Sequence, residues 1–120
     1  KYTMNRLLAS FLGATGVTLG AFGAHALKAT LTQRGTLESW KTGVLYQLLH
    51  AIALLYVDQA NLQNGDLITK LWFVGTVLFS GSIYGLSLGG PRVLGPVTPL
   101  GGLCMIAGWV ALGLSSGGLK

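Results

Sequence analysis

The sequence predicts an all-α integral-membrane bundle of four transmembrane helices, with the N- and C-termini on the same side of the membrane. Four long segments contain almost no charge, hydrophobic residues make up 51% of the chain, and charged residues make up only 9%. A soluble domain carries about 25% charged residues, so this composition does not supply a water-exposed surface. We expect a single domain that covers residues 1–120.

The predicted spans cover approximately residues 6–27, 41–57, 70–89 and 98–117. A helix rises about 1.5 Å per residue, and about 17 to 25 residues cross a hydrocarbon core about 30 Å thick. All four segments come close to that length, and the second is the shortest. Short polar or Gly- and Pro-rich links join them, so an even number of crossings returns the chain to its starting side.

Local sequence marks several of the helix ends. Thr36 is expected to cap the second span, and the Asn64-Gly65 pair predicts the turn before the third. Thr98 followed by Pro99 predicts an N-cap and the first helical position of the fourth span.

Basic residues outnumber acidic ones, with eight Lys and Arg against three Asp and Glu. In a soluble protein this excess would suggest nucleic acid, but here the basic residues are spread singly over ends and loops. That distribution favours lipid headgroups as partners and argues against nucleic acid. Lys and Arg are equally numerous on the two predicted sides, so the positive-inside rule leaves the orientation open.

Small residues recur at helical spacing within the spans. They allow two helices to approach closely, and close van der Waals contact drives helix association in lipid. These rows of small residues, the glycine seams, predict tight packing, either inside one bundle or against a partner protein or lipid. The predicted helix-packing residues are Gly13, Gly16, Gly20, Gly23, Gly81, Gly85 and Gly108.

Polar side chains within the predicted spans concentrate near one membrane surface. Tyr46, Gln47 and His50 share one face of the second span because of their three- and four-residue spacings. Burying such groups in lipid costs free energy, so they mark either an interhelical hydrogen-bond network or a ligand site. The candidate residues are His25, Tyr46, Gln47, His50, Ser82, Tyr84 and Thr98.

These residues predict neither a metal site nor an enzyme. Two histidines and the distant Cys104 do not supply the three or four ligands that zinc requires. No cofactor is predicted, although His25 and His50 leave contact with haem or chlorophyll open. Their depths differ by about 9 Å at the helical rise, which argues against both binding one haem iron. The three carboxylates lie in or beside loops, which argues against a proton-coupled exporter.

Sequence blocks in all four spans resemble one known family. The blocks are LGAFGAH at 19–25, TG followed by YQxxH within 42–50, GTVLFSGS at 75–82, and TPxGG with AGW within 98–109. They are similar to the family called domain of unknown function 423, the transmembrane protein 256-like small membrane proteins. The resemblance implies a four-helix membrane protein of bacteria and of organelles of bacterial descent. It implies no reaction and assigns no catalytic residue.

These observations favour a structural role. We expect a non-catalytic accessory or assembly subunit packed against a larger respiratory or photosynthetic membrane complex, because the loops are small and the glycine seams favour helix association. The alternative is binding or transport of a small ligand, pigment or ion through the His, Gln and Tyr layer. The expected partners are membrane lipids and other membrane protein subunits. The expected location is a bacterial inner membrane or a mitochondrial or plastid membrane.

Overall fold

A computed structural model of the chain describes residues 3–116, and its regular elements there are helices joined by short links. Predictions that concern residues 1, 2 and 117–120, including both chain termini, lie outside the described residues. The helices are α1 (Met4–Ala24), α2 (Lys28–Arg34), α3 (Leu37–Ala60), α4 (Gly65–Ser87), a 3₁₀-helix (Arg92–Leu94) and α5 (Val97–Leu114).

Three segments are long and apolar enough to cross a membrane. They are α1, α4 and the stretch Arg92–Leu114, which contains both the 3₁₀-helix and α5. Helix α3 has sufficient length, at 24 residues, but polar residues such as Gln47 and His50 lower its mean hydropathy. The all-helical class is therefore confirmed, and three of the four predicted spans qualify as crossings by length and composition.

Several helix ends have a local cause. The Thr3 hydroxyl caps α1 by accepting a hydrogen bond from the backbone N–H of Arg6 at 3.1 Å. Gly35, with φ of 71°, ends α2, and Asn61, with φ of 54°, ends α3. Glycine and asparagine adopt this left-handed conformation more readily than other residues, so the chain can turn sharply at both places.

The link between α1 and α3 differs from the prediction. Helix α1 ends at Ala24 rather than near residue 27, and the short helix α2 follows, which the sequence analysis did not predict. Leu31 of α2 is fully buried, and the Arg34 guanidinium packs against the backbone of Gly89. One buried side chain in seven residues does not produce a recognisable periodic pattern, which explains why α2 was missed.

The long helices pack side by side, with α3 against α1 and α4, and α5 against α4. Their shared core contains Ala9, Leu12, Ala51, Leu54, Val57, Ile68 and Trp72. Large apolar side chains also cover the outside: Val17, Ile52 and Leu103 are 64%, 67% and 61% exposed. An exposed apolar surface of this kind is suited to contact with lipid or with another membrane protein.

The two ends of the described chain meet at one end of the bundle. The Thr3 hydroxyl donates to Asp58 at the end of α3. The Gln63 backbone N–H donates to the Ser116 carbonyl at 3.4 Å, and Asn64 Nδ2 donates to the Ala111 carbonyl at 3.0 Å. Residues 3 and 116 therefore lie beside the α3–α4 link, and α2 and the 3₁₀-helix lie at the opposite end.

Candidate functional site

Gln47 joins three helices through its side-chain amide. Its Nε2 donates to the Leu12 carbonyl at 2.9 Å and to the Thr15 hydroxyl at 2.7 Å, both on α1. Its Oε1 accepts from the Tyr84 hydroxyl on α4 at 2.7 Å. An amide has two N–H donors, so both are used inside the bundle. The 4% exposed side chain of Gln47 is therefore a structural junction of α1, α3 and α4.

His50 belongs to α3, and its ring contacts α4 and α5. Both of its ring nitrogens form hydrogen bonds. Trp109 Nε1 lies 3.0 Å from His50 Nε2, and because an indole N–H can only donate, Nε2 accepts. His50 Nδ1 lies 2.8 Å from the Tyr46 carbonyl oxygen, which can only accept, so Nδ1 carries the proton. These partners define a neutral imidazole in one tautomer. Neither nitrogen retains a lone pair for a haem iron or a chlorophyll magnesium in this arrangement.

Aromatic rings surround the imidazole. The ring centroids of Trp72 and Trp109 each lie 5.8 Å from that of His50, in edge-on arrangements. The two indoles are 4.5 Å apart, and Tyr46 stacks on His50 at 6.5 Å. Edge-on and tilted contacts of this kind are favourable for aromatic rings. The cluster therefore holds α3, α4 and α5 together around His50.

Two further polar contacts connect neighbouring helices. The Ser80 hydroxyl donates to the Gly43 carbonyl at 2.7 Å, which links α4 to α3. The hydroxyls of Ser82 and Thr98 share a hydrogen bond, which links α4 to α5. The candidate residues Ser82 and Thr98 therefore form their own contact, separate from the hydrogen bonds of Gln47.

His25 is not brought to the other candidate residues. It follows the last residue of α1, where it is exposed beside Lys28. Within residues 3–116 it shares no hydrogen bond or ring contact with His50. The residues that sequence reasoning missed are Thr15 and Trp109, which supply partners to Gln47 and His50. Trp109 belongs to one of the blocks that carry the family resemblance, and that was the available signal.

The glycines of α1 pack mainly inside the chain. A Cβ atom added at Gly16 would lie 2.7 Å from Leu48 Cδ2, and one added at Gly23 would lie 2.5 Å from the Trp40 ring. Gly20 faces Val44 at 3.3 Å. These three glycines therefore pack against side chains of α3, and Gly20 and Gly23 also line an open groove of about 250 Å³ between the two helices.

The other predicted packing glycines divide into two groups. A Cβ atom at Gly108 would lie 2.5 Å from the Trp72 ring, and one at Gly85 would lie 2.6 Å from Leu94. Gly13 and Gly81 would meet nothing within 4 Å. The structure does not place Gly13 and Gly81 in a helix contact, because they lie on the open side of their helices.

A close approach of α4 and α5 was not anticipated. A Cβ atom at Gly101 of α5 would lie 2.3 Å from the backbone nitrogen of Phe79 and 2.6 Å from the Gly75 carbonyl oxygen. The backbones of α4 and α5 touch directly at this crossing. Only glycine allows that distance, since any side chain there would meet backbone atoms.

Two open grooves lie beside the candidate polar residues Gln47, Tyr84 and Thr98. One, of about 260 Å³, lies along α1, α3 and α4, and its lining includes Thr15, Gln47 and Tyr84. The other, of about 540 Å³, lies at the α2 end between α3, α4 and the start of α5. Among the described residues, no group of three or more His, Cys, Asp and Glu side chains could hold a metal ion.

Comparison with known proteins places these features in a family. Residues 19–102 match the family described as protein of unknown function (DUF423). A UPF0382 membrane protein of Schizosaccharomyces pombe is 37% identical over 111 residues, which cover 88% of this chain and 94% of that protein. The UPF0382 membrane protein YwdK of Bacillus subtilis is 40% identical over 112 residues, covering 88% and 89% of the two chains.

A third relative is the UPF0382 inner membrane protein YgdD of Escherichia coli, 39% identical over 116 residues that cover 88% of this chain and 83% of that protein. No solved structure matches the chain. The relatives are membrane or inner membrane proteins of bacteria and yeast, and the structure has three apolar helices of spanning length. The predicted membrane location is thereby confirmed, as is the resemblance of the sequence blocks. The chain belongs to the DUF423 family of membrane proteins.

Proposed function

We propose that the protein is a four-span, non-catalytic accessory or assembly subunit that packs against a larger membrane complex, respiratory or photosynthetic. The observation that carries this proposal is the use of the buried polar groups. Gln47 uses both amide N–H groups and its carbonyl oxygen on α1 and α4, and His50 uses both ring nitrogens. A binding or catalytic site would leave at least one such group for its substrate, whereas a structural network uses them internally.

Four crossings are supported by the two faces of α3. Gln47 and His50, which lower its hydropathy, face the bundle and are each 4% exposed. Its outer face carries Leu45, Leu49 and Ile52, which are 54%, 49% and 67% exposed. Lipid would therefore meet an apolar surface, while the polar groups keep hydrogen-bond partners, as a spanning helix requires. At 24 residues the helix is about 36 Å long, which is sufficient to cross.

A non-catalytic role is supported by the placement of the reactive groups. Glu38 and Asp66 lie in the first turns of α3 and α4, and Asp58 contacts Thr3 and Arg6. None of these carboxylates lies beside the imidazole at the centre of the bundle. The buried hydroxyls of Ser80 and Ser82 on α4 bond to backbone or to another hydroxyl. Those of Thr69 and Thr76 bond to the Asn5 amide oxygen and the Met105 sulfur, so none of these four hydroxyls is paired with a histidine base.

Site-specific photo-crosslinking in native membranes tests the subunit role face by face. Photoreactive residues replace Val17 on α1, Ile52 on α3, Val74 on α4 and Leu103 on α5, all exposed and apolar. Fully buried Leu54 is the matched control, which should react only within the chain. We expect at least one face to label a second polypeptide. We also expect that polypeptide to remain with the chain, at fixed stoichiometry, in a particle extracted with mild detergent.

The subunit role is contradicted if all four outer positions label only lipid and the extracted particle has the mass of this chain alone. A homo-oligomer, with products between copies of the chain, would also count against it. The absorption spectrum of the same particle shows whether a chromophore is bound.

Ligand binding or transport through the polar layer is the second candidate, favoured by the groove of about 260 Å³ that reaches Gln47 and Tyr84. Gly81 lines this groove, and a Cβ there meets nothing within 4 Å, so Gly81→Leu should narrow the groove without disturbing the bundle. Gly13→Leu is the matched control, at an equally open position outside this groove. A small molecule retained by the Gly13 variant and lost from the Gly81 variant would support the ligand function.

A further inference from the structure

The larger groove has a polar rim at a membrane surface. Its volume is about 540 Å³, and it lies between α3, α4 and the start of α5. Thr36 immediately precedes α3, Ser87 is the last residue of α4, and Thr98 is the second residue of α5. In the proposed four-span arrangement the helix ends lie at the membrane surface, so this rim lies at the level of the lipid headgroups.

The lining of this groove becomes apolar with depth. Ile83 and Phe79 follow Ser87 inward along α4, and Phe79 lies two helical turns from the rim, about 12 Å. Phe79 also packs on Tyr46, with ring centroids 5.1 Å apart. A groove that is polar at the surface and apolar below it matches an amphiphile, with a headgroup at the rim and an acyl chain along α4.

The Thr36 hydroxyl at the rim favours a headgroup that donates hydrogen bonds. It donates to the Ser87 carbonyl at 2.9 Å. A hydroxyl has one hydrogen, so the Thr36 oxygen retains only acceptor lone pairs. A headgroup with its own hydroxyl groups can donate to this oxygen. Thr42, about 9 Å deeper along α3, donates to the Glu38 carbonyl of its own helix at 3.0 Å.

The charge at this end favours an anion. Within the described residues the α2 end carries four cations and one carboxylate, whereas the opposite end carries two of each. Cations near a membrane surface attract anionic lipids, whereas zwitterionic headgroups gain less because their phosphate is already paired with an ammonium group. Arg92 opens the 3₁₀-helix that leads directly to Gly95 in the groove lining. The cations are Lys28, Arg34, Lys41 and Arg92, and the carboxylate is Glu38.

We infer that this groove binds one anionic phospholipid with a hydroxylated headgroup, of the phosphatidylglycerol class. The phosphate lies at the rim on the side of Gly95 and Arg92, a glycerol hydroxyl donates to Thr36, and one acyl chain follows Ile83 and Phe79. The inference rests on the four-span arrangement and adds a specific lipid ligand to the proposed subunit.

Native mass spectrometry of the detergent-extracted chain tests this site. The protein is mixed with phosphatidylglycerol, phosphatidylethanolamine or phosphatidylcholine of identical acyl chains, and the retained lipid molecules are counted. We expect one retained phosphatidylglycerol and little retention of the other two. Ser39 is exposed and lines the groove, so Ser39→Phe fills it and should abolish retention. Arg92→Gln should weaken retention by about fivefold, the effect of one cation near a membrane surface.

Two matched variants control for general effects. Ser10→Phe makes the same change at an exposed position of α1, and Lys70→Gln removes a cation at the opposite end. Both should retain phosphatidylglycerol as the unmodified chain does. Circular dichroism of each variant shows whether the helices form.

Three outcomes would overturn the inference: equal retention of phosphatidylglycerol and phosphatidylcholine, unchanged retention in a folded Ser39→Phe variant, or displacement of the lipid by soluble glycerol phosphate. A polypeptide crosslinked from position 39 would identify a protein as the occupant instead. Lipid retention is measured on the lone chain, whereas the subunit role is tested by crosslinks from other faces. Failure of one proposal is therefore distinguishable from failure of the other.

Discussion

The indole N–H of Trp109 donates to Nε2 of His50 at 3.0 Å and joins α5 to α3. Trp109 is 47% exposed, whereas His50 is 4% exposed, so the hydrogen bond connects the outer surface of the bundle to its interior. Because the partner is an obligate donor, the bond requires a neutral imidazole whose proton lies on Nδ1. The pair therefore specifies both the position of α5 and the protonation state of the buried histidine.

A double-mutant cycle should detect this bond. His50→Phe and Trp109→Phe keep an aromatic ring at each position and remove the polar atoms, so the coupling energy isolates the hydrogen bond. We expect a coupling of about 0.6 kcal/mol, and no more than about 2 kcal/mol, from reversible unfolding in mixed detergent. His50→Phe combined with Val110→Ala should be additive, because Val110 is an exposed neighbour without a polar contact. Additivity for His50 and Trp109 themselves would contradict the assignment.

Replacement of Gln47 should destabilise the bundle more than replacement of any one of its partners. Gln47→Leu removes three interhelical hydrogen bonds, and at about 0.6 kcal/mol each the free energy of unfolding should fall by about 2 kcal/mol. Tyr84→Phe removes only one of the three and should cost about a third as much. Thr18→Val is the control, because the exposed Thr18 hydroxyl bonds only to the Ala14 carbonyl of its own helix. Equal stability of the Gln47 and Thr18 variants would show that the network contributes nothing.

The fold was predictable where a segment is long and uniformly apolar. Hydropathy predicts α1, α4 and α5 because their length and composition suit a bilayer. Hydropathy alone does not qualify α3, since eight of its 24 residues are buried in the protein, where Gln47 and His50 are tolerated. It misses α2, whose only buried residue is Leu31. Composition reports the average environment of a helix, not which face meets lipid.

The sequence predicted most of the polar residues of the candidate site, including Tyr84, which contacts Gln47, but not how they pair. Helical spacing places Gln47 and His50 on a common face, and the structure places both in the interior. The partners Thr15 and Trp109 could not be derived, because periodicity does not say which helices are neighbours or how far they overlap. His25 was included because α1 was expected to continue past Ala24, and the earlier end leaves it exposed.

Gly101 and Gly81 should respond in opposite ways to the same substitution. In Gly101→Ala the new methyl group meets backbone atoms of α4 at 2.3 and 2.6 Å, which cannot move aside, so α4 and α5 must separate. We expect a loss of about 2 kcal/mol or more of unfolding free energy. In Gly81→Ala the methyl group meets nothing within 4 Å, and alanine favours a helix by up to about 1 kcal/mol over glycine. A Gly101 variant as stable as the Gly81 variant would contradict the close crossing of α4 and α5.

Asp58 should stabilise the start of α1 although it belongs to α3. Its side chain is 5% exposed and receives hydrogen bonds from Thr3 and, at 3.2 Å, from Gln59 Nε2, with Arg6 at 3.9 Å. Asp58→Ala leaves these donors without their acceptor, so we expect a loss of about 1 to 3 kcal/mol and faster hydrogen exchange in the first turn of α1. Arg6→Ala should cost under about 1 kcal/mol, because Arg6 is 52% exposed and solvent screens the ion pair.

Asp58→Asn separates the two contributions, because an amide oxygen still accepts from Thr3 while the negative charge is lost. If the hydrogen bond dominates, as the 3.9 Å separation of the charges suggests, Asp58→Asn should retain most of the stability that Asp58→Ala loses. Exposed Asp66, in the first turn of α4, supplies the matched control. Asp66→Ala and Asp58→Ala could accelerate hydrogen exchange in α1 equally. That result would show that the contact between the start of α1 and the end of α3 does not stabilise that end of the bundle.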